Sequence, residues 1–598
     1  MTVAAPPAGR TPASGRRPAA LRWLPIATAV GALSVAAAAA VVVGFLVLGV
    51  LSGEVRLGEL FATRAWSFPS GRFGALAMVW GTVAVSGIAL LVAAPLGWAA
   101  AITLRELTAP RLRRPLRAAA ELLAAVPSIV YGLLGVVVLR PLVSEVFDVP
   151  GGDSLLAAGL LLAVMVLPTV IAVSVDALDD VPAETREAAA ALGLRRTEVV
   201  RAAVLPMARP GLVAAALLGL ARALGETVAV FLVIGRADGR LPSLSGIFDS
   251  LVRPGQTLTT KLGGPEPLLA GTAGPHWAAL CALGLLLLFG VAALTALGQT
   301  RRGTIGWIRP STARGARPAR VIRDRVGVIA LRAALAVPVL LIAGVLVGVL
   351  LRGHRALDPT FWLTAASGAS GGGIRDQVLG TMLLVVVAGL FAAPLGLALG
   401  LVLGEYTSDR AARWLRTATV TLGGVPSILL GLAGYWLFSG QLNWGKSWLA
   451  GGIVLAVVAI PVVALAVAAR LDQLPAERRE AAHACGLRRS QLVRSVLVPH
   501  VRPGLVTGLL LGLARAAGET APLLFTATVF AGAAALPSGV VQAPVVSLPT
   551  HLFALAQDAA DSAALEAAWG SALALVGLAG SLLIAATLAR RRLEVAYT

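Results

Sequence analysis

Long apolar runs alternate with short polar breaks along the whole of this 598-residue chain. Six runs lie near 24–51, 75–104, 119–139, 154–175, 210–235 and 277–299. Six more lie near 327–351, 377–403, 416–437, 448–469, 504–531 and 569–589. A helix needs ~20 apolar residues to cross a bilayer core, and these runs reach that length. Helix is the predicted element: an open sheet edge cannot be satisfied in lipid, and barrel strands are far shorter. Prolines within runs, such as Pro95 and Pro394, are tolerated where neighbouring helices cover the freed carbonyl. The pattern predicts an all-α membrane protein with twelve transmembrane helices, divided by a basic stretch from Arg301 to Arg325.

Composition agrees. Hydrophobic residues make up 57% and charged residues 13% of the chain, against about 25% charged in soluble domains. Soluble multidomain, disordered and disulfide-framework classes are thereby excluded; the two cysteines, Cys281 and Cys485, lie in an apolar run and a polar loop. All but two of the 50 basic residues are arginine, and they sit mostly between apolar runs. The net charge of +20 therefore reads as a topology signal and not as a nucleic-acid surface. Arg10, Arg16, Arg17 and Arg22 precede the first run; Arg105, Arg111, Arg113, Arg114 and Arg117 follow the second; Arg590, Arg591 and Arg592 close the chain. Loops of the other parity are poorer in cations, and 532–568 has none. The positive-inside rule then puts both termini in the cytoplasm of a multi-pass inner-membrane protein. The first run exceeds a signal-peptide core and reads as an uncleaved helix, and Arg16-Arg17 lacks twin-arginine surroundings.

The two halves are repeats. GTVAVSGIALLVAAPLGWAAAITLRE from Gly81 parallels GTMLLVVVAGLFAAPLGLALGLVLGE from Gly380, and Val126-Pro127-Ser128-Ile129 returns as Val425-Pro426-Ser427-Ile428. Between Arg186–Thr227 and Arg479–Thr520 nearly two thirds of the positions are identical, loops and charges included. Six spans per half give both copies one orientation, a parallel duplication about an axis along the membrane normal. The expected division is a basic tail at 1–23, a six-helix unit at 24–300, a basic linker at 301–326 and a second six-helix unit at 327–598.

Between the fourth and fifth runs of each half lies a proline-flanked amphipathic segment broken by Gly193 or Gly486, which offers a rigid knob to a partner. Glu187-Ala188-Ala189, Gly193 and Leu205-Pro206, with the second copy Glu480-Ala481-Ala482, Gly486 and Val498-Pro499, resemble the EAA motif of binding-protein-dependent ABC importer permeases. Ala203 and Val496 replace the motif's isoleucine, and Val498 its leucine. The resemblance implies the type I ABC importer permease fold, with these segments as coupling helices docking on a separate ATPase.

The fifth run carries GLARALGET in one half and GLARAAGET in the other. As continuous helix this places Arg222 with Glu226, and Arg515 with Glu519, one turn apart at mid-span, where a lone charge costs several kcal/mol. Paired guanidinium forks suit an oxyanion, and a neighbouring carboxylate can accept from a protonated phosphate but not from sulfate. Arg222, Glu226, Thr227, Arg515, Glu519 and Thr520 are thus the candidate substrate path. PSIVYGLLGVVVL from Pro127, ARALGETVAV from Ala221 and the segment Gly246–Asp249 resemble the C subunit of phosphate-specific ABC permeases. GVPSILLGLAGY from Gly424, ARAAGETAPLLFTAT from Ala514 and the segment Leu548–Phe553 resemble the A subunit. The chain thus resembles a natural C–A fusion. That resemblance implies phosphate import with a homodimeric ATPase that uses ATP and Mg, an extracytoplasmic phosphate-binding protein and a sensor-kinase regulatory complex. The alternatives are another oxyanion, sulfate or molybdate, and a scaffold that signals phosphate status.

Other signals are weak. Gly440–Ser447 fits GxxxxGK[ST], but it joins two apolar runs on the face assigned to the outside and no acidic Walker B strand follows. Gly368 and Gly371–Gly373 read as a flexible loop. The five histidines, His276, His354, His483, His500 and His551, have no metal-ligand spacing. No catalytic set and no metal site are predicted, and this chain is expected to hold no cofactor of its own.

Overall fold

The computed structural model describes residues 24–595 apart from 54, 114, 118–125, 243–245, 302–317, 355–357, 368–370, 407–408 and 530–536. The tail 1–23, most of the linker, Arg114 and Gly368 lie outside the described residues. Among the described residues eleven helices are long and apolar enough to cross a membrane, or twelve spans when one bent pair is counted. In the first half they are Leu33–Leu51, Leu76–Leu107, Ser128–Phe147, Leu155–Asp179, Arg196–Gly225 and Gly274–Arg301. In the second they are Val326–Arg352, Arg375–Glu405, the pair Arg413–Gly424 with Ser427–Gln441, Trp448–Asp472, Ser490–Ala517 and Ser562–Leu593. They are numbered one to twelve in that order.

The run near 416–437, expected as one span, falls on the pair Arg413–Gly424 and Ser427–Gln441, bent by 89°. Pro426, at φ −54° and ψ 128°, has no N–H to give the helix and steers Val425 away from helical geometry. Pro127 holds the same conformation ahead of Ser128 in the first half. The helix leading into span seven begins at Pro318, within the basic stretch. Strand among the described residues is confined to two short hairpins, Trp66–Ser67 with Arg72–Phe73 and Ala366–Ser367 with Gly371–Gly372. The glycine run read as a flexible loop thus supplies one strand of the second hairpin.

Lipid offers no hydrophobic drive between helices, so close packing of small residues must hold them together. Span two crosses span four, and span eight crosses span ten, through matching glycines. A Cβ on Gly97 would stand 2.7 Å from Val170 Cγ1, and one on Gly396 2.6 Å from Val463 Cβ. The halves also interlock. Span one lies against span eight and span seven against span two, and the Thr103 hydroxyl donates across the boundary to the Leu331 carbonyl at 2.7 Å. On the face opposite the EAA loops, helices Leu258–Leu262 and Leu548–Gln557 are pinned in the same manner. The Leu258 N–H donates to Thr82 Oγ1 at 2.9 Å and the Leu548 N–H to Thr381 Oγ1 at 2.8 Å.

Gly97→Ala and Gly396→Ala should each destabilise the chain by roughly 1–3 kcal/mol through overpacking. Thermal unfolding of detergent-purified protein measures this, with Gly577→Ala as a neutral control, since nothing lies within 4 Å of its added methyl.

Candidate substrate path and coupling helices

The fifth span does not continue through the GET motif as its apolar run predicts. Its helix ends at Gly225; Glu226 is extended at φ −74° and ψ 132°, and a new helix runs Val228–Val233. In the second half the helix ends at Ala517 and resumes as Ala521–Thr526. Arg222 and Arg515 therefore occupy last turns, where a cation also complements the free carbonyls of the helix end, and the expected continuous Arg–Glu face is replaced by a break. Two features accompany the breaks. A proline turn of the opposite half packs against each one: a Cβ on Gly225 would meet Pro426 at 3.5 Å, and one on Gly518 would meet Pro127 at 3.0 Å. The freed amides of Thr227 and Ala229 also find an acceptor in the Glu226 carboxylate.

The four charged residues act on one another. Arg222 interacts electrostatically with Arg515, Glu226, Tyr131 and Glu519, and Glu226 with Glu519. Both arginines are exposed although alanines on either side are buried, so each projects into open space deep within the bundle. Thr227 and Thr520 are buried beside them, and the Thr520 hydroxyl has no hydrogen-bond partner among the described residues.

The halves differ here. Arg515 Nε keeps its carboxylate, at 3.6 Å from Glu519 Oε1. Arg222 instead donates through Nη1 to Thr169 Oγ1 at 2.8 Å. The repeat counterpart of Thr169 is Val462, and that of Tyr131 is Leu430. Sequence reading missed Thr169 and Tyr131, although a hydroxyl in one copy against an aliphatic residue in the other was available as a signal. Above the first-half break, the turn at Gly263 comes so close that a Cβ would lie 2.5 Å from Thr227 Cγ2. Lys261 anchors that turn: it is 2% exposed, with Nζ 2.8 Å from Glu266 Oε1 and 3.2 Å from Asp238 Oδ2. Burial works to raise the Glu266 carboxyl, but the hydrogen bond and charge of Lys261, with His276 and Trp66, hold it below its ordinary value. In the second half His551 takes the place of Lys261, and burial pushes its imidazole down to about 4, so it is neutral at pH 7.

The EAA loops form short helices, Ala183–Ala191 and Ala476–Ala484, each led by a proline. Each ends at a glycine in the left-handed region, Gly193 at φ 75° and Gly486 at φ 73°, where nothing crowds a Cβ and the backbone angle alone selects glycine. Within each motif one alanine is the foot: Ala189 and Ala482 are buried among apolar ends of neighbouring helices. Glu187, Ala188, Glu480 and Ala481 face outward. The residue before each motif clamps it to the preceding spans. Arg186 Nη2 lies 3.0 Å from Glu106 Oε1 at the end of span two and also donates to the Leu178 and Val181 carbonyls. Arg479 Nε lies 3.7 Å from Glu405 Oε2 at the end of span eight, and its Nη2 donates to the Leu471 carbonyl at 3.1 Å. These clamps were also missed, although the glutamate closing each GT…RE/GE repeat and the arginine before each EAA were visible.

The phosphate-loop pattern at Gly440–Ser447 is taken up by local structure. Lys446 Nζ donates to the Thr528 carbonyl at 2.9 Å, and Ser447 caps span ten by accepting from the Leu449 N–H. Helix, not strand, leads into it, at Tyr435–Gln441. Cys281 and Cys485 are both free thiols, and no cluster of metal-ligating side chains occurs among the described residues.

The family model for the "binding-protein-dependent transport system inner membrane component" matches residues 93–303 and again 396–594. The chain belongs to this family. Each half of this family member has its own relatives. The N-terminal region matches the phosphate transport system permease protein PstC of Mesorhizobium japonicum, 37% identical over 38% of this chain and 73% of the relative. It also matches PstC of Haemophilus influenzae, 36% identical over 44% of this chain and 86% of the relative. The C-terminal region matches the phosphate transport system permease protein PstA 2 of Mycobacterium bovis, 39% identical over 29% of this chain and 58% of the relative. The pattern is that of a PstC–PstA fusion carrying the all-α type I permease fold.

Arg186→Ala should cost roughly 3 kcal/mol, because it strands the nearly buried Glu106. Arg479→Ala should cost about 1 kcal/mol or less, its pair being longer and more exposed. Double-mutant cycles with Glu106→Gln and Glu405→Gln, read by thermal unfolding, measure both couplings.

Proposed function

We propose that this chain is a transmembrane permease subunit of an ATP-driven importer of inorganic phosphate, with C-like and A-like units in one polypeptide. The observation that carries the reading is the pair of broken fifth spans, which bring Arg222 and Arg515 within electrostatic reach of one another beside Glu226 and Glu519. Discontinuous helices with opposed polar ends are how membrane proteins build ion sites without dedicated cofactors. Two guanidinium groups from opposite halves match phosphate oxygens. The carboxylates accept from the protonated oxygen of monohydrogen or dihydrogen phosphate, which sulfate lacks. Thr227 and Thr520 add hydroxyls at the same level. The names of the PstC and PstA relatives support the same substrate.

The rest of the cycle follows from where the clamped helices sit. Glu187, Ala188, Glu480 and Ala481 form the exposed contact for a homodimeric ATPase, which alone binds ATP and Mg. Its closure pushes on Ala189 and Ala482, and the Arg–Glu clamps pass that movement to spans two and eight. An extracytoplasmic phosphate-binding protein delivers the anion to the opposite face, and high affinity resides there because the membrane site must release as well as bind. The arginine distribution places both termini in the cytoplasm of an inner-membrane protein. This chain is itself no enzyme and holds no cofactor.

The double variant Arg222→Ala/Arg515→Ala should reduce binding-protein-dependent phosphate uptake by at least about a hundredfold, since removing a charge-assisted contact on each side costs ~1.5–3 kcal/mol apiece. It should still co-purify with the ATPase. Glu226→Gln/Glu519→Gln should narrow discrimination between phosphate and sulfate in competition uptake. Normal uptake by the arginine variant would reject the assignment.

A further inference from the structure

A second polar site lies on the face opposite the EAA loops, away from the broken helices and confined to the first half. It is a cavity of about 450 Å³ between the start of span two and the loop after span five, lined by Arg64, Arg240, Arg253, Asp249, Trp80 and Gln256 among others. Arg253 is paired with Asp249 at 2.8 Å. Arg64 and Arg240 have no hydrogen-bond or ion-pair partner among the described residues, so the cavity carries uncompensated positive charge. Gln256 is only 8% exposed, and its Oε1 is buried without a partner. A buried unpaired amide is costly to fold unless something else bonds to it. Oxygen and nitrogen exchange by a simple flip, so the same amide can present a donor to an anion.

The internal repeat shows that the fold does not require these side chains. The Gln256 carbonyl packs on span two where only Gly81 leaves room, a Cβ there falling 2.1 Å away; the Val546 carbonyl packs on Gly380 in the same way, at 2.0 Å. Likewise the Arg253 carbonyl receives the Leu155 N–H, and the Ala543 carbonyl the Trp448 N–H. Valine and alanine thus serve in the second half where the first has glutamine and arginine. The second half's loop 532–568 has no Lys or Arg at all, so the basic lining is peculiar to one half.

We propose that this cavity binds a phosphate-type oxyanion, with Arg64 and Arg240 supplying charge, Arg253 a third guanidinium shared with Asp249, and the Gln256 amide a hydrogen bond. The anion is either free inorganic phosphate or the phosphate group of an anionic phospholipid. For the second source the surface is prepared, because Phe147 and Phe248 stack edge to face at 5.5 Å and are both exposed.

The test uses the purified full-length chain without its partners. Binding of inorganic phosphate is read by equilibrium dialysis with labelled phosphate, and retention of phosphatidylglycerol by native mass spectrometry. Wild type is compared with Gln256→Val and with Arg64→Ala/Arg240→Ala. Both variants should fold, and Gln256→Val should match or exceed the wild-type Tm, since valine stands at the repeat position. At least a tenfold loss of phosphate binding in the variants identifies the free anion as ligand; loss of retained phosphatidylglycerol identifies the headgroup. The Arg64- and Gln256-dependent part of the binding should persist in the Arg222→Ala/Arg515→Ala background, which separates it from the transport path. Equal phosphate binding and equal lipid retention in wild type and both variants, or binding lost only with Arg222 and Arg515, would overturn the proposal.

Discussion

A charge far from water must be given partners, and in this protein the partners come from interrupting a helix. An intact fifth span would satisfy its own backbone and leave Arg222 and Glu226 to the surrounding apolar side chains. Breaking it at Gly225 frees amides for the Glu226 carboxylate and carbonyls for the arginine's end of the helix. It also lets the proline turn of the other half close in. Pro426 packs against the first break and Pro127 against the second, so each break has a neighbour from the other half. Joining the two permease units in one chain keeps the complementary turns at high local concentration.

The duplication also serves as an internal control. Where both copies share a device, such as the Gly97 and Gly396 crossings, the threonine pins on spans two and eight, and the left-handed glycines after the coupling helices, the device belongs to the fold. Where the copies differ, the fold tolerates either residue and the difference is available for function. Thr169 against Val462 draws Arg222 off the axis of its own carboxylate, while Arg515 leans on Glu519. Lys261 against His551 leaves one cap charged and the other neutral. Gln256 against Val546 sets an unpaired amide where the second half has an aliphatic side chain. The surroundings of the two broken fifth spans are therefore chemically unequal even though their backbones correspond.

Much of this was legible in the residues. Span number and fold class follow from run length, because lipid permits few alternatives to helix. The repeat and the EAA loops follow from charged and loop positions that shared apolar composition cannot explain. The helix break at Gly225-Glu226-Thr227 was not legible, since helical periodicity runs on through it and the proline packed against it lies some two hundred residues away in sequence. The 89° bend at Pro426 was hidden for a related reason: proline is ordinarily tolerated in membrane helices, as at Pro95 and Pro394, and only the neighbours decide which proline turns the chain. The Arg186–Glu106 clamp joins a loop to the end of a distant span, a pairing that proximity in sequence does not indicate.

The central claim is that Arg222 and Arg515, from opposite halves, face one shared space. It is tested most directly by placing cysteines at these two positions, with Cys281 and Cys485 replaced, and treating membranes with a short water-soluble bis-thiol reagent. The account predicts efficient intramolecular cross-linking between the two halves. Two cysteines that each react singly but never cross-link, or that do not react at all, would contradict it.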